Sequence, residues 1–398
     1  MKLFAAIDIG SYEVEMKIFQ ITSGKGIKEI DCVCHRMELG KDVYRDGAVA
    51  HTALAACDGI IAEGKLCRVL NDFVRIMKGY RVDDWRVCAT SAVREAGNQL
   101  VFLDRVKRHT GLEVEVLSNA SQRFMDYKSI ASRENEFNRI IQKGTAIVDV
   151  GGGSIQMSLF DKDKLSATQN MRLGVLRLQE KMSRLNVRPS ENGPLLEELL
   201  EAQLSVFRKM YLKDRVIENI IVVDDYISAL ILGKLGKVAG SGYLDRDSMA
   251  SYMNYLHDHT DMEIVRYFDT PEENVPLLRI SSAIVRQVAL MTDAKMIWAP
   301  GVSLCDGMVY EYAEEYKLLA QVHDFEQDIV TCARGISKRY MGSKRRAETL
   351  EQIALTIFDS MKRVHGMGRR ERLLLRIATL LHDCGKYISM VNLGGGSY

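Results

Sequence analysis

Thr145-Ala146-Ile147-Val148-Asp149-Val150-Gly151-Gly152-Gly153-Ser154 is the stretch on which the fold turns. A short apolar, partly β-branched run reads as a buried strand. It carries Asp149 to its carboxyl end, and the chain then turns through three glycines. Glycine accepts φ > 0 and, lacking Cβ, lets backbone N–H groups close around an anion. Ser154 adds a hydroxyl donor. A carboxylate beside such a turn can hold a cation or orient a water while the N–H groups hold phosphate oxygens, which is what phosphoryl chemistry needs. A glycine-rich hairpin turn with no ligand is the alternative for this stretch alone.

A second copy changes the balance. Leu3-Phe4-Ala5-Ala6-Ile7 leads into Asp8-Ile9-Gly10-Ser11, followed by the alternating Val14, Met16 and Ile18. Two strand–Asp-x-Gly–strand hairpins suggest a duplicated α/β architecture whose loops face each other across a cleft. This is the actin-like arrangement (ASKHA, ribonuclease H-like). The domains expected are lobe I at 1–135, lobe II at 136–314 and a helical segment at 315–398.

The 398 residues carry a formal net charge of +1 and are 47% apolar and 27% charged, so they form an ordinary globular chain of two or three domains. Near-zero charge argues against broad binding of nucleic acid or membrane. No apolar run reads as a membrane span of roughly 18 residues, and the N-terminus enters a strand without a signal-peptide pattern; a cytoplasmic location is expected. Eight cysteines, with no C-x-x-C pair, read as reduced and mostly buried thiols; the strand-like Cys32-x-Cys34-His35 lacks a second ligand pair.

Along the chain, residues 1–38 read as a strand meander, with turn signals at Leu39-Gly40 and Asp46-Gly47. Helical periodicity runs from about His51 to Lys78. Trp85 to Ala89 is a strand, and Thr90 or Ser91 is placed to cap a helix bearing Arg94. Ser118-Asn119 opens a helix that carries Gln122 and Asp126. Pro194 opens an amphipathic helix, Ile220–Val223 is a core strand ending at Asp224-Asp225, and Gly307 begins a helix. Past residue 315 the pattern is helical. It contains His382-Asp383 and ends in Gly394-Gly395-Gly396-Ser397-Tyr398, and it reads as a truncated domain.

These pieces resemble, in order, the exopolyphosphatase and guanosine pentaphosphate phosphatase family (Ppx/GppA). The matching residues are Ala5–Ser11, Ala89-Thr90-Ser91-Ala92-Val93-Arg94-Glu95-Ala96, Asp149–Ser154, Leu173–Leu178 and Gly301–Gly307. The resemblance implies an actin-like two-lobe fold and a following HD-like helical domain. It implies a hydrolase in which Mg²⁺ assists water attack on the terminal phosphate of polyphosphate or guanosine pentaphosphate. Asp8, Gly10 and Ser11 would form the first phosphate loop, and Gly151, Gly152, Gly153 and Ser154 the second. Arg94 would clamp phosphate, Asp8 and Asp149 would hold metal, and a homodimer is plausible.

The departures bear on catalysis. The position of the family's general base is Gln122, an amide that cannot accept a proton at neutral pH. A second carboxylate is replaced by Gln156, and the family's Asn after Gly-Ser is Tyr12. Asp126, one helical turn after Gln122, and Glu13 are possible substitutes; solvated surface carboxylates are the plainer reading of both. Arg346 and Thr349 stand where metal-binding HD-like members have histidines, so no metal is expected there. Two functions follow: a divergent phosphohydrolase, and a catalytically impaired polyphosphate- or alarmone-binding sensor or scaffold.

Overall fold

The computed structural model describes residues 1–24, 26–50, 64–185, 192–213, 215–233, 242–292, 294–319 and 323–387. Residues 51–63 of the helical run expected from about His51 to Lys78, Cys57 and the terminal Gly394–Tyr398 lie outside these residues; the rest of that run is the helix Lys65–Tyr80.

Strands β1 (Lys2–Ile9), β2 (Glu13–Thr22) and β3 (Gly26–Arg36) form the expected meander. With β4 (Asp84–Ala89) and β5 (Glu115–Val116) they give a five-stranded sheet of order β3-β2-β1-β4-β5. β1 is antiparallel to β2 and parallel to β4. Successive side chains of a strand point to opposite faces. Ala5, Ile7 and Ile9 therefore pack with Leu66, Leu70 and Phe73 on one side, while Phe4 and Ala6 pack with Met125, Met308 and Val309 on the other. Burial on both faces explains why β1 reads as a continuous apolar run. The second sheet has the order β10-β11-β9-β6-β7-β8. Its strands are β6 (Thr145–Val150), β7 (Ile155–Asp161), β8 (Lys164–Met171), β9 (Asn219–Val223), β10 (Tyr243–Asp245) and β11 (Met296–Trp298). β6, β9 and β11 run parallel.

Several local readings are corrected. Leu39–Asp46 is a helix closed by Gly47 in the left-handed region (φ 78°), where no Cβ can clash. Gly307 lies inside the helix Leu304–Glu315, because a Cβ there would meet the Met125 carbonyl oxygen; the glycine lets this helix and Asn119–Ala131 touch. Cys32 and Cys34 are exposed, while Cys67, Cys88, Cys305 and Cys384 are buried. Among the described residues one segment, Glu272–Thr292, is long and apolar enough to cross a membrane, although the sequence shows no unbroken apolar run. Its Leu277, Leu278, Ile280, Ile284, Val285 and Val288 are core residues.

The chain divides into two compact units. The first is Met1–Met157 with Gln169–Val322; the second is Ser158–Thr168 with His323–Tyr398. In the second unit Asp328, on the helix Phe325–Arg339, accepts from the Leu165 backbone N–H (3.1 Å) and from His323 (2.7 Å). Asp163 lies 3.4 Å from the other imidazole nitrogen. Burial disfavours the charged imidazole, but the Asp328 hydrogen bond and charge, with Asp163 and Asp324, outweigh it and raise the His323 pKa. The contribution of this pair to stability is therefore full below pH 6.5 and is lost as the pH rises through the raised value. Thermal unfolding should show the wild type losing about 2–4 °C between neutral and alkaline pH, a loss that Asp328→Asn removes.

Candidate active site

The site lies within the first unit, where β1 and β6 deliver their aspartates. Asp126 is on the third turn of the helix Asn119–Ala131, which Ser118 caps by accepting from the Ser121 N–H. Asp126 is not a solvated surface carboxylate: it is buried, 6% exposed, and shares the Gln156 amide with Asp149. The one-turn offset from Gln122 turns it inward to the carboxyl end of β6. Gln156, on β7, joins the pair: its Nε2 donates to Asp149 (3.2 Å) and reaches Asp126 at 3.4 Å. Arg123 Nε donates to Gln156 Oε1 (3.2 Å) and so orients the amide.

Two carboxylates in contact cannot both ionise cheaply in a buried site. Burial is the largest influence on each. It drives Asp126 well above the usual carboxylate range, reinforced by Asp149. It pushes Asp149 up to about 6, against hydrogen bonds from Asp126 and Gln156. Burial and their closeness raise both groups, so the pair resists carrying two negative charges and titrates as one unit. Asp8 is also raised well above its ordinary value, by burial and then by Glu15, Glu13 and Asp149, and its Oδ1 is buried without a hydrogen-bond partner. Glu13 is half-buried, its pKa raised by burial, and it contacts Cys34.

The two glycine turns face each other in contact. A Cβ on Gly152 would lie 2.8 Å from the Ser11 Cβ, and one on Gly153 would meet the Tyr44 and Ser91 hydroxyls at 2.0 and 2.6 Å. Ser11, Tyr44 and Ser91 form a hydroxyl triangle with sides of 2.8, 2.8 and 3.0 Å. Arg177 stacks on Tyr44 at 4.1 Å, donates to the Gly153 carbonyl (2.8 Å) and pairs with both Glu95 oxygens at 2.8 Å. Gly174 is required by close approach, since its Cβ would fall 2.3 Å from the Gly153 and Ser154 backbone. Backbone cannot swing aside, so Gly174→Ala should cost about 1–3 kcal/mol or more and spread the second loop, measured by chemical denaturation.

Arg94 lies on a five-residue helix, Ser91–Glu95, which Thr90 does not cap with its side chain; the expected capped-helix anion site is reduced to one turn. Its guanidinium donates to the Leu117 carbonyl (2.5 Å) and to Gln122 Oε1 (3.3 Å). Gln122 thus serves Arg94 and not the carboxylate pair. Burial pulls the Arg94 pKa below its usual range. Beside Arg94 is a cavity of about 410 Å³ lined by Arg94, Glu95, Asn119, Ser154, Asn170 and Arg172. Tyr12 donates to Asn274 (3.0 Å) under the Arg36 guanidinium. Asp224, in place of a glycine turn, caps the helix Asp225–Ile231 by accepting from the Tyr226 N–H (2.7 Å) and the Ile227 N–H. Sequence reading missed Arg123, Tyr44, Asn170 and Arg172. Only Arg123 left a trace, as a cation next to the substituted base position.

The donor set fits Mg²⁺. Its oxygens are hard, and the buried Oδ1 of Asp8 lacks a partner. Among the described residues no three His, Cys, Asp or Glu side chains gather to hold an ion alone. Mg²⁺ usually takes one or two carboxylates and completes its shell with water and phosphate oxygens.

The sequence profile of the Ppx/GppA phosphatase family matches residues 50–314, and the chain belongs to that family. It is 27% identical over 145 residues to exopolyphosphatase 1 of Mycobacterium leprae, covering 36% of this chain and 41% of that protein. It is 18% identical over 401 residues to the guanosine-5'-triphosphate,3'-diphosphate pyrophosphatase of Vibrio atlanticus, covering 96% and 72%. For the first curated relatives that it matches, the aligned stretch is only 26% and 32% of their length. The fold matches the crystal structure of the Aquifex aeolicus family member with a TM-score of 0.63 at 21% identity, over 79% of this chain and 98% of that one. The architecture is the actin-like two-lobe α/β fold.

Proposed function

We propose that this chain is a phosphohydrolase that releases terminal orthophosphate from inorganic polyphosphate or guanosine pentaphosphate by attack of water. The observation that carries the reading is the buried Asp126–Asp149 pair, bridged by Gln156, at the end of the strand that leads into the Gly151–Ser154 turn. Environments that push two carboxyl pKa values apart mark an acid and a base. Asp149, at about 6, is suited to take the proton of the attacking water near neutrality, and protonated Asp126 holds it in place. Asp126 is thus a positioning partner and not a direct replacement for Gln122. Arg94 and the Ser154 hydroxyl bind phosphate oxygens, and the loop glycines admit the backbone to them. Asp8, whose buried Oδ1 lacks a partner, would hold Mg²⁺, which would neutralise phosphate charge, while Asp149 is assigned to the water and not to the metal. The relatives' names support both substrates, and family membership supports the class of reaction.

The sensor reading has its own observation, since Gln122 lies on Arg94 and adds no carboxylate to the site. Orthophosphate release from long-chain polyphosphate and guanosine pentaphosphate with Mg²⁺, beside a binding measurement, separates the two. Release is expected; binding without release would sink the hydrolase and leave the sensor. The lobe boundaries near residues 135 and 314, an HD-like character for the C-terminal helices, a homodimer and a cytoplasmic location belong to the same proposal.

A further inference from the structure

The 410 Å³ cavity falls in the range of small-ligand pockets, yet it has an unusual lining: two guanidiniums, two amides, one hydroxyl and one carboxylate. The carboxylate is already neutralised, because both Glu95 oxygens are held by Arg177 at 2.8 Å. Arg94 is bonded only to neutral acceptors, the Leu117 carbonyl and the Gln122 amide. Arg172 is exposed, and its guanidinium makes no hydrogen bond or ion pair among the described residues. Asn170 donates to Ser154 Oγ (3.3 Å), leaving the Ser154 proton free to point into the cavity. Asn119 stands in the first turn of a thirteen-residue helix, whose N-terminal dipole adds positive potential. Two guanidiniums that make no ion pair among the described residues thus line one polar hollow.

We propose that Arg172 and Asn170 form, with Arg94, a second phosphate subsite that takes the inner phosphoryl groups of a linear inorganic phosphate chain and does not seat a nucleobase. The identity of the lining decides between the two ligand types. A base bound in a pocket gains from a stacking face and from partners for its edge. No aromatic or aliphatic side chain lines this cavity, and the single carboxylate able to accept from a guanine edge is spent on Arg177. Guanidiniums in a fork geometry, by contrast, match phosphate oxygens two at a time. Arg172 lies two residues before Gly174, which packs on the second loop, so the subsite is tied to that loop through the backbone.

The inference rests on the phosphate-chain reading above, but it is tested by binding alone. Calorimetric titration without Mg²⁺ would compare inorganic tripolyphosphate and guanosine pentaphosphate on the whole protein and on Arg172→Ala. Arg172 is exposed, so the variant should fold as the wild type does. The expected result is similar affinity for both ligands, and a loss of about tenfold for each in the variant. Guanosine pentaphosphate binding more than about tenfold tighter than tripolyphosphate would show a seated base and overturn the proposal. Unchanged tripolyphosphate affinity in Arg172→Ala would overturn it as well. Asn170→Ala should weaken tripolyphosphate less than Arg172→Ala, because a neutral donor contributes less than a charged one. The hydrolase reading fails separately: phosphate release with no effect of Arg172→Ala sinks only the subsite, and the expected binding without release sinks only the hydrolase.

Discussion

Asp149→Asn is expected to cut orthophosphate release by ~10²–10⁴-fold, while Asp126→Asn should keep most of the activity that Asp149→Asn loses. The asymmetry follows from where the proton lies. In the proposed mechanism Asp126, the more strongly raised of the two and 6% exposed, carries the pair's proton. An asparagine there imitates a protonated aspartic acid: it is neutral, nearly the same size and still able to donate to Asp149. An asparagine at 149 removes the ionised group itself and leaves Gln156 Nε2 facing an amide. Steady-state release with polyphosphate, both variants side by side, is the check. If Asp126→Asn is the more damaging, the base is Asp126 and the proton assignment is reversed. If neither variant loses activity, the carboxylate pair is not the site. The wild-type rate should also climb as pH rises through about 6, where Asp149 ionises, and Asp149→Asn should lack that limb.

The fold was largely legible because its signals are local. β1 and β6 announce themselves as apolar runs that end in Asp, and the glycines after them are explained by contacts, Gly152 against Ser11 and Gly174 against the loop backbone. Asp8, Asp149, Ser11 and Ser154 could be named for the same reason. What escaped reading depends on side-chain direction. Asp126 was identified by spacing, but its burial beside Asp149 is set by how Asn119–Ala131 packs under Leu304–Glu315, a contact nearly two hundred residues apart in sequence. Tyr44 belongs to a stretch whose turn signals masked a helix, so its hydroxyl between Ser11 and Ser91 was invisible. Arg172 and Asn170 are ordinary polar residues at the end of β8 until the fold sets them beside Arg94.

Gln122→Glu should weaken anion binding, and its effect on turnover is diagnostic. The side chain lies 3.3 Å from the Arg94 guanidinium. A carboxylate there would pair with a cation that now contacts only neutral acceptors. A hydrogen bond to a charged group contributes about 1.5–3 kcal/mol, so tripolyphosphate affinity should fall by roughly 10- to 100-fold as Arg94 is drawn away from the ligand. The same substitution restores a carboxylate at the family's base position, but Arg94 would hold it and Asp149 already takes the proton, so no gain in kcat is expected. A rise of ~10-fold in kcat together with weaker binding would show that the amide exchanges turnover for grip on the anion. Weaker binding with no gain in kcat would place Gln122 in the anion site alone and leave proton transfer to Asp149. No change in either would remove Gln122 from the site altogether, and with it the argument that its amide leaves Arg94 uncompensated.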